Sequence, residues 1–369
     1  MAAELDIVLQ GYQSGSFSAV MDNVVNAETL VGALIGGAFG AAIGALPAFI
    51  FTGFLVMGGA FSAGPGEDLT GGVGLGFGPV FGPHISFAAG AAAAAYAADA
   101  GILQSGFDYH NGKDITFALG SRPDVLAVGA AFGLFGALSE GLFRHLAVPT
   151  DPIAITVVLS ALLHRIVFGY SLIGVVSAKA DGYFDMSPFE REEMRDAGSV
   201  RGDGDKDGED RLAVEPWLPN MYKWSHVTAI GAVAGGLGGL GVIATGNTFL
   251  GFGISATSLI FLNLGIEKIP VTHHMTLPGA TAYGMVTQSP EGVSAALQGL
   301  GPGPGLAFAL IFGALGAIVG EAFQRVFYAH GDTHVDPPAA SIFIVHSLIA
   351  VLAIAGVVAT AVWVPGAAY

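Results

Sequence analysis

The residues best suited to chemistry are histidines, and they recur in similar settings along the chain. His84-Ile-Ser86 and His274-Met-Thr276 each place a small hydroxyl residue two positions after a His, and His273 precedes the second. His164 and His346 each fall inside a late apolar run. An imidazole in such a setting can relay a proton, coordinate a cation or hydrogen-bond a polar solute. It can equally stay neutral and bond across helices, and a duplication copies structural residues as readily as functional ones. His84, Ser86, His273, His274 and Thr276 form the candidate solute-binding set, and His164 and His346 are candidate gating or coupling groups.

Charged residues inside apolar runs are the next signal, since each costs roughly 2.5–3.5 kcal/mol near the centre of a membrane helix. Glu140/Arg144 and Glu321/Arg325 are spaced i,i+4, so each pair meets on one helix face. They are read as structural salt bridges at span ends or as gates that open when the pair breaks. Arg165 is the one basic residue within its run, and Ser347 stands at the matching place later in the chain. It is expected to hold an anion, to pair with a Glu of a neighbouring span, or to snorkel to an interface.

His330-Gly-Asp332-Thr-His334-Val-Asp336 sets ligand-type residues at every second position, so an extended backbone would turn all four to one side, as a divalent metal requires. The competing reading is an acidic loop with Asp336 capping the last helix ahead of Pro337. This is the only cofactor site the chain suggests, and HExxH is absent. Asp203-Gly-Asp205-Lys-Asp207-Gly208 begins like an EF-hand loop, but Val214 occupies the place of the closing Glu, which favours a solvated acidic loop. With no cysteine in the chain, disulfides and thiolate-held metals are excluded. No Walker motif is present, and no Lys lies within a span to carry a Schiff base.

The elements that must position these residues are apolar. The chain is 53% hydrophobic and 11% charged, outside the range of ordinary soluble domains. A bilayer core about 30 Å thick takes roughly 20 residues of helix. Five hydrophobic segments are expected in each half, near 29–46, 47–62, 73–99, 124–144 and 152–177, then 227–246, 248–266, 273–290, 304–327 and 338–364. Both halves carry the same landmarks in the same order. Gly32-Ala-Leu-Ile-Gly36-Gly37 matches Gly231-Ala-Val-Ala-Gly235-Gly236, and Phe132-Gly133-x-x-Gly136 matches Phe312-Gly313-x-x-Gly316. Asp151-Pro152 and Asp336-Pro337 each open a final segment. Pro47 and Gly246-Asn247 are expected to mark the connections between the first two segments of each half.

The fold class is therefore all-α and polytopic, with about ten transmembrane segments in two duplicated five-segment repeats. Residues 1–27 form an interfacial segment, 28–178 the first repeat, 179–225 an acidic loop and 226–369 the second repeat. The third segment of each half is broken, at Gly82-Pro83 and at Pro278-Gly279, and such breaks are tolerated only where the backbone faces protein or a water-filled cavity. Five spans per half make the repeats inverted; a re-entrant third segment would make them parallel. Of the 13 basic residues, Lys179, Arg191, Arg195, Arg201, Lys206, Arg211 and Lys223 lie in the central loop, which places it in the cytoplasm of a multi-pass plasma-membrane protein. The net charge of −16 suggests a halophilic host.

This plan points to a secondary transporter or permease rather than an enzyme, moving a small solute or ion by alternating access at a midplane site. A passive channel and a non-transporting scaffold or assembly subunit are the alternatives, and an intramembrane metalloenzyme using residues 330–336 is a fourth. The expected partners are the lipid bilayer, the solute or ion, and further copies of the chain through its many small-residue faces. Nothing points to nucleic acid.

Overall fold

Asn26 opens the first helix by accepting a hydrogen bond from the Thr29 N–H at 2.8 Å, and Asp151 and Asp336 cap two later helices in the same way, each followed by Pro at the first helical position. The computed structural model describes residues 25–62, 75–103, 105, 107–195 and 211–366. The expected N-terminal interfacial helix and the EF-hand-like run at 203–208 lie outside the described residues. Among the described residues every regular element is helical. They are α1 (Ala27–Ile43), α2 (Ala45–Ser62), α3 (Ser86–Asp99), a 3-10 turn (Asn111–Lys113), α4 (Pro123–His145), α5 (Pro152–Phe168) and α6 (Ser187–Glu190). Then follow α7 (Trp224–Thr245), α8 (Leu250–Asn263), α9 (His273–Thr287), α10 (Pro302–Phe327) and α11 (Pro337–Ile354).

Four of these, α4, α7, α10 and α11, are long and apolar enough to cross a bilayer, and α1 with α2, bent by 119°, makes a fifth if that pair is one span. Helices α5 and α8 are apolar but shorter. The outer faces stay apolar, with Ile35, Val233 and Ile311 each more than half exposed, as lipid-facing side chains are. The chain is thus consistent with a multi-pass membrane protein.

Several expected boundaries move for local reasons. The turn between the first two segments falls at Gly44 rather than Pro47, because Gly44 takes φ 94°, which L-residues avoid, and a Cβ there would stand 2.9 Å from the Phe117 carbonyl. The run expected to 177 stops at Phe168, where Gly169 adopts the left-handed conformation and closes the helix. The last helix ends at Ile354 and the following residues form turns. In the first half's third segment, residues 78–85 break the chain ahead of the helix that begins at Ser86, but the break expected at Pro278-Gly279 is absent: α9 runs unbroken through Pro278, and the His274 carbonyl that the proline cannot bond packs against Gly316 instead.

Two groups of helices pack in the same manner. Helices α1, α3 and α4 pack on one another, and so do α7, α9 and α10. Between the groups, α2 packs on α8 and α5 on α11. Both of these pairs run antiparallel: Gly53 meets Thr257 while Gly253 meets Met57, and Thr150 meets Ser347 while His164 meets Thr333. A shared apolar core joins them, with Phe49, Val56 and Phe87 on one side and Phe252, Leu259 and Leu277 on the other.

Close approach by glycine holds each group together. A Cβ at Gly136 would overlap the His84 carbonyl oxygen, and one at Gly316 the His274 carbonyl oxygen. Gly136→Ala is therefore expected to force α4 off the broken segment, at a cost of about 1–3 kcal/mol or more. Gly58, on α2 with open space around it, serves as the control, and its Ala variant should stay within about 0.5 kcal/mol. Thermal unfolding of the two variants in one detergent checks the contrast; equal melting temperatures would contradict it.

Candidate functional site

The break at residues 78–85 and the start of α9 meet the walls of one cavity. It has a volume of about 1740 Å³ and lies between the helix groups, reached by α2, α3, α5, α8, α9 and α11. Ligand pockets commonly hold roughly 300–1,000 Å³, so this one is generous for a small molecule. Phe49, Phe77, Phe87, Phe249 and Phe252 supply much of the wall. Of the four histidines on it, His84, His145, His273 and His334, two belong to the expected solute-binding set: His84 from the break at 78–85 and His273 from the start of α9. Both are nearly fully buried, and the Nδ1 atom of each has no hydrogen-bond partner. Phe49 packs on the His273 ring at 4.7 Å and Phe252 at 5.7 Å, so that imidazole is oriented by aromatic edges rather than by a polar partner.

The rest of the expected solute-binding set lies behind the wall. His274 turns away toward α10 and α11, where Gly320 leaves room for its ring, and Trp217 of the central loop covers it at 5.9 Å. The Thr276 hydroxyl donates to the His273 carbonyl at 3.2 Å. Ser86 is buried where Gly40 of α1 crosses its carbonyl.

The two Glu/Arg pairs form as their spacing predicts, but in different surroundings. Arg144 donates through Nε to Glu140 at 2.7 Å, and both residues line the cavity. Arg325 donates to Glu321 at 2.6 Å, yet its other nitrogens reach the carbonyls of Phe184 at 2.8 Å and Tyr222 at 2.9 Å, and Trp224 stacks over the guanidinium at 4.5 Å. Gln324 also accepts from the Trp217 N–H at 3.1 Å. The central loop thus clamps the end of α10.

Arg165 has neither a carboxylate partner nor a route to the surface. It is fully buried and donates to the Thr333 hydroxyl and to the carbonyls of Leu172, Phe327 and Thr333, all within 2.9 Å. Its task is to tie α5 to the α10–α11 connection. His164 shares the Thr333 hydroxyl at 2.9 Å. His346 lies elsewhere, between Asp151 at 3.3 Å and Thr281 at 3.1 Å.

The alternating run at 330–336 does not converge. His330 meets the Tyr183 carbonyl at 3.2 Å, and burial lowers its pKa to about 4. Asp332 bonds Arg211 at 2.8 Å, and His334 faces Asp336 at 3.1 Å, while the second Asp336 oxygen caps α11. Among the described residues no three His, Asp or Glu side chains gather as metal ligands. The backbone turns at 331–333 instead of extending, so the every-second-residue pattern loses its common face.

Sequence reasoning missed two features. Asp151, noted only as a helix opener, lines the cavity and binds His346. A buried charge cluster also joins three loops: Lys113 meets Glu215 at 2.6 Å, Arg211 meets Glu215 at 2.6 Å, and Arg211 meets Asp332 at 2.8 Å. Burial alone would raise the Glu215 carboxyl, but Arg211 and Lys113 beside it hold it at about 2. No local spacing announces this cluster except the i,i+4 step from Arg211 to Glu215.

A family model described as a family of unknown function (DUF7973) matches residues 19–367. No curated protein and no solved structure matches the chain.

Proposed function

We propose that this chain, a member of the DUF7973 family of unknown function, is a secondary transporter that moves a small solute by alternating access between two inverted five-segment repeats. The observation that carries the reading is the cavity itself, walled by the break at residues 78–85 and by the start of α9, with the rings of His84 and His273 on its lining. A break in a membrane helix belongs where backbone lines a cavity, and the one at residues 78–85 meets that condition, with Gly78, Pro79, Pro83, His84 and Ile85 on the wall. Duplication is supported by the matching helix contacts of α1, α3 and α4 with α7, α9 and α10. Inversion is supported by the antiparallel pairing of α2 with α8 and of α5 with α11, since partners related by an axis along the membrane normal would run parallel.

The wall also narrows the solute. The carboxylates of Asp114, Glu140, Asp151 and Asp336 on the same wall suit a positive charge, and the five phenylalanine rings suit apolar surface. A solute with apolar surface and one or two polar groups uses both the rings and the histidines. In this reading the central loop is cytoplasmic and the membrane is the plasma membrane.

Flux into proteoliposomes with a panel of small neutral and cationic solutes tests the proposal. His84→Ala and His273→Ala are expected to lower saturable uptake at least tenfold, while His274→Ala, outside the cavity, acts on stability instead. Uptake insensitive to both cavity variants, in folded protein, would sink the reading. A passive channel is the second reading, favoured by a cavity lining that extends from Trp217 and Lys113 in the loops to Glu140 and Arg144. It predicts flux that is linear in solute and shows no counterflow.

A further inference from the structure

Asp151 caps α5 with one carboxylate oxygen, accepting from the Ala154 N–H at 3.0 Å. Its other oxygen faces His346 Nδ1 at 3.3 Å, across the boundary between α5 and α11. On the far side of the ring, Nε2 faces the Thr281 hydroxyl of α9 at 3.1 Å, and that hydroxyl donates to the Leu277 carbonyl at 3.0 Å. The imidazole is fully buried, and Asp151 lines the cavity whereas His346 and Thr281 do not.

The hydrogen-bond inventory then dictates the proton count. A hydroxyl has one hydrogen, and Thr281 gives it to Leu277. While it does so, the bond between Thr281 and His346 uses an Nε2–H; when the hydroxyl turns to His346 instead, Nε2 accepts. With that nitrogen protonated, Nδ1 facing a carboxylate needs a second proton between them, which makes the arrangement an imidazolium–carboxylate pair. Loss of one proton leaves a neutral ring. Such a ring keeps Asp151 only as the Nδ1–H tautomer, and its bare Nε2 must then accept from Thr281. The Thr281 hydroxyl has to leave Leu277 to supply that bond. The balance is one H⁺ released and the pair's charge going from zero to −1, with the carboxylate as the door to the cavity.

We infer that Asp151–His346 is the coupling-ion site of this protein, and that the ion is a proton. Sodium is disfavoured by the donors present: one carboxylate oxygen is taken by a backbone N–H and the other faces a ring nitrogen, whereas a hard cation needs several free oxygens. Protonation at this point moves a hydroxyl on α9, the helix that begins with His273. It thus links the boundary between the two helix groups to the cavity wall. His84, Glu140, Arg144, His145, His334 and Asp336 line the same cavity as Asp151, and His84 lies within electrostatic reach of Asp151, Glu140 and Arg144; Thr281 of α9 and Trp363 of the C-terminal segment meet the ring.

Coupling rests on the transport reading above, but protonation does not, and it can be read with no solute present. The Trp363 ring stands 5.0 Å from that of His346, and the chain's other two tryptophans, Trp217 and Trp224, lie elsewhere. In a Trp217→Phe/Trp224→Phe protein in lipid nanodiscs, imidazolium formation is expected to quench Trp363 reversibly as a one-proton transition. His346→Gln should abolish the transition. Asp151→Asn, which keeps the side-chain shape, should weaken proton binding at least tenfold by removing the carboxylate. A flat titration, one that survives His346→Gln, or one unmoved in Asp151→Asn would overturn the inference. Should His346→Gln not fold, Asp151→Asn alone decides. A missing titration leaves the transport reading standing, and missing flux leaves the titration standing.

Discussion

Glu215→Ala is expected to destabilise the protein by about 3–5 kcal/mol and to free the stretch around residues 211–217 from the helices. The reason is an asymmetry in burial rather than the attraction of the pair itself. Lys113, Arg211 and Glu215 are fully buried, and Glu215 is the carboxylate that Lys113 and Arg211 share. Removing it leaves two buried cations with Asp332 as the remaining bonded anion. The loops at 105–116, 211–217 and 328–334 then lose their common anchor, although the Glu215 N–H bond to Ala329 at 3.0 Å remains. Glu215→Gln keeps two acceptor lone pairs and the shape, so its cost should be smaller. Acid should act in the same way. The Glu215 carboxyl sits at about 2, against an ordinary 4.5, so its contribution is complete above about pH 4.5 and is lost as pH falls through about 2. Hydrogen exchange at 211–217, with thermal unfolding beside it, reads both effects. An alanine variant with wild-type exchange and melting would contradict the account of the cluster.

Much of the helical plan was legible because it is written in local chemistry. Asp151-Pro152 and Asp336-Pro337 announce two helix starts, and each Asp does cap the N–H three residues on. Glu140/Arg144 and Glu321/Arg325 meet because i,i+4 is a helical spacing. Register was harder. Landmark matching aligns Gly36 with Gly235, but it is Gly37 that crosses Gly129 and Gly133 as Gly235 crosses Ala309 and Gly313. Consecutive glycines hide a one-residue shift. His164 and His346 looked equivalent, yet they fall at different distances from the capping aspartates and reach different partners.

Contacts between distant parts of the chain were not legible at all. Lys113 and Glu215 are 102 residues apart, and Asp151 and His346 are 195 apart. Nothing in residue type or spacing specifies such a pairing; only the packing of helices does. The same limit explains the split of the expected solute-binding set. Neighbours His273 and His274 begin one helix, and successive helical residues point about 100° apart, so one enters the cavity and the other faces α10.

The central claim is that the two helix groups rock around the cavity, which requires two states that differ at its ends. At one end Glu140 and Arg144 line the cavity; at the other the central loop clamps Arg325 through Phe184 and Tyr222. A complementary state must exist in which the first end closes and the second opens. The chain lacks cysteine, so pairs of spin labels can be placed without background. Ala118 and Glu267 are exposed on the face of the central loop, where Asn220 bonds the Glu267 carbonyl at 3.3 Å. Leu146 and Ser294 are exposed beside the α4–α5 and α9–α10 connections. Electron–electron distance measurements on these two pairs in nanodiscs should each give two resolved populations. The populations should move reciprocally, one pair shortening as the other lengthens, when pH is changed across the titration of Asp151–His346. A single distance at both ends, indifferent to pH, would contradict alternating access and leave a static channel or scaffold.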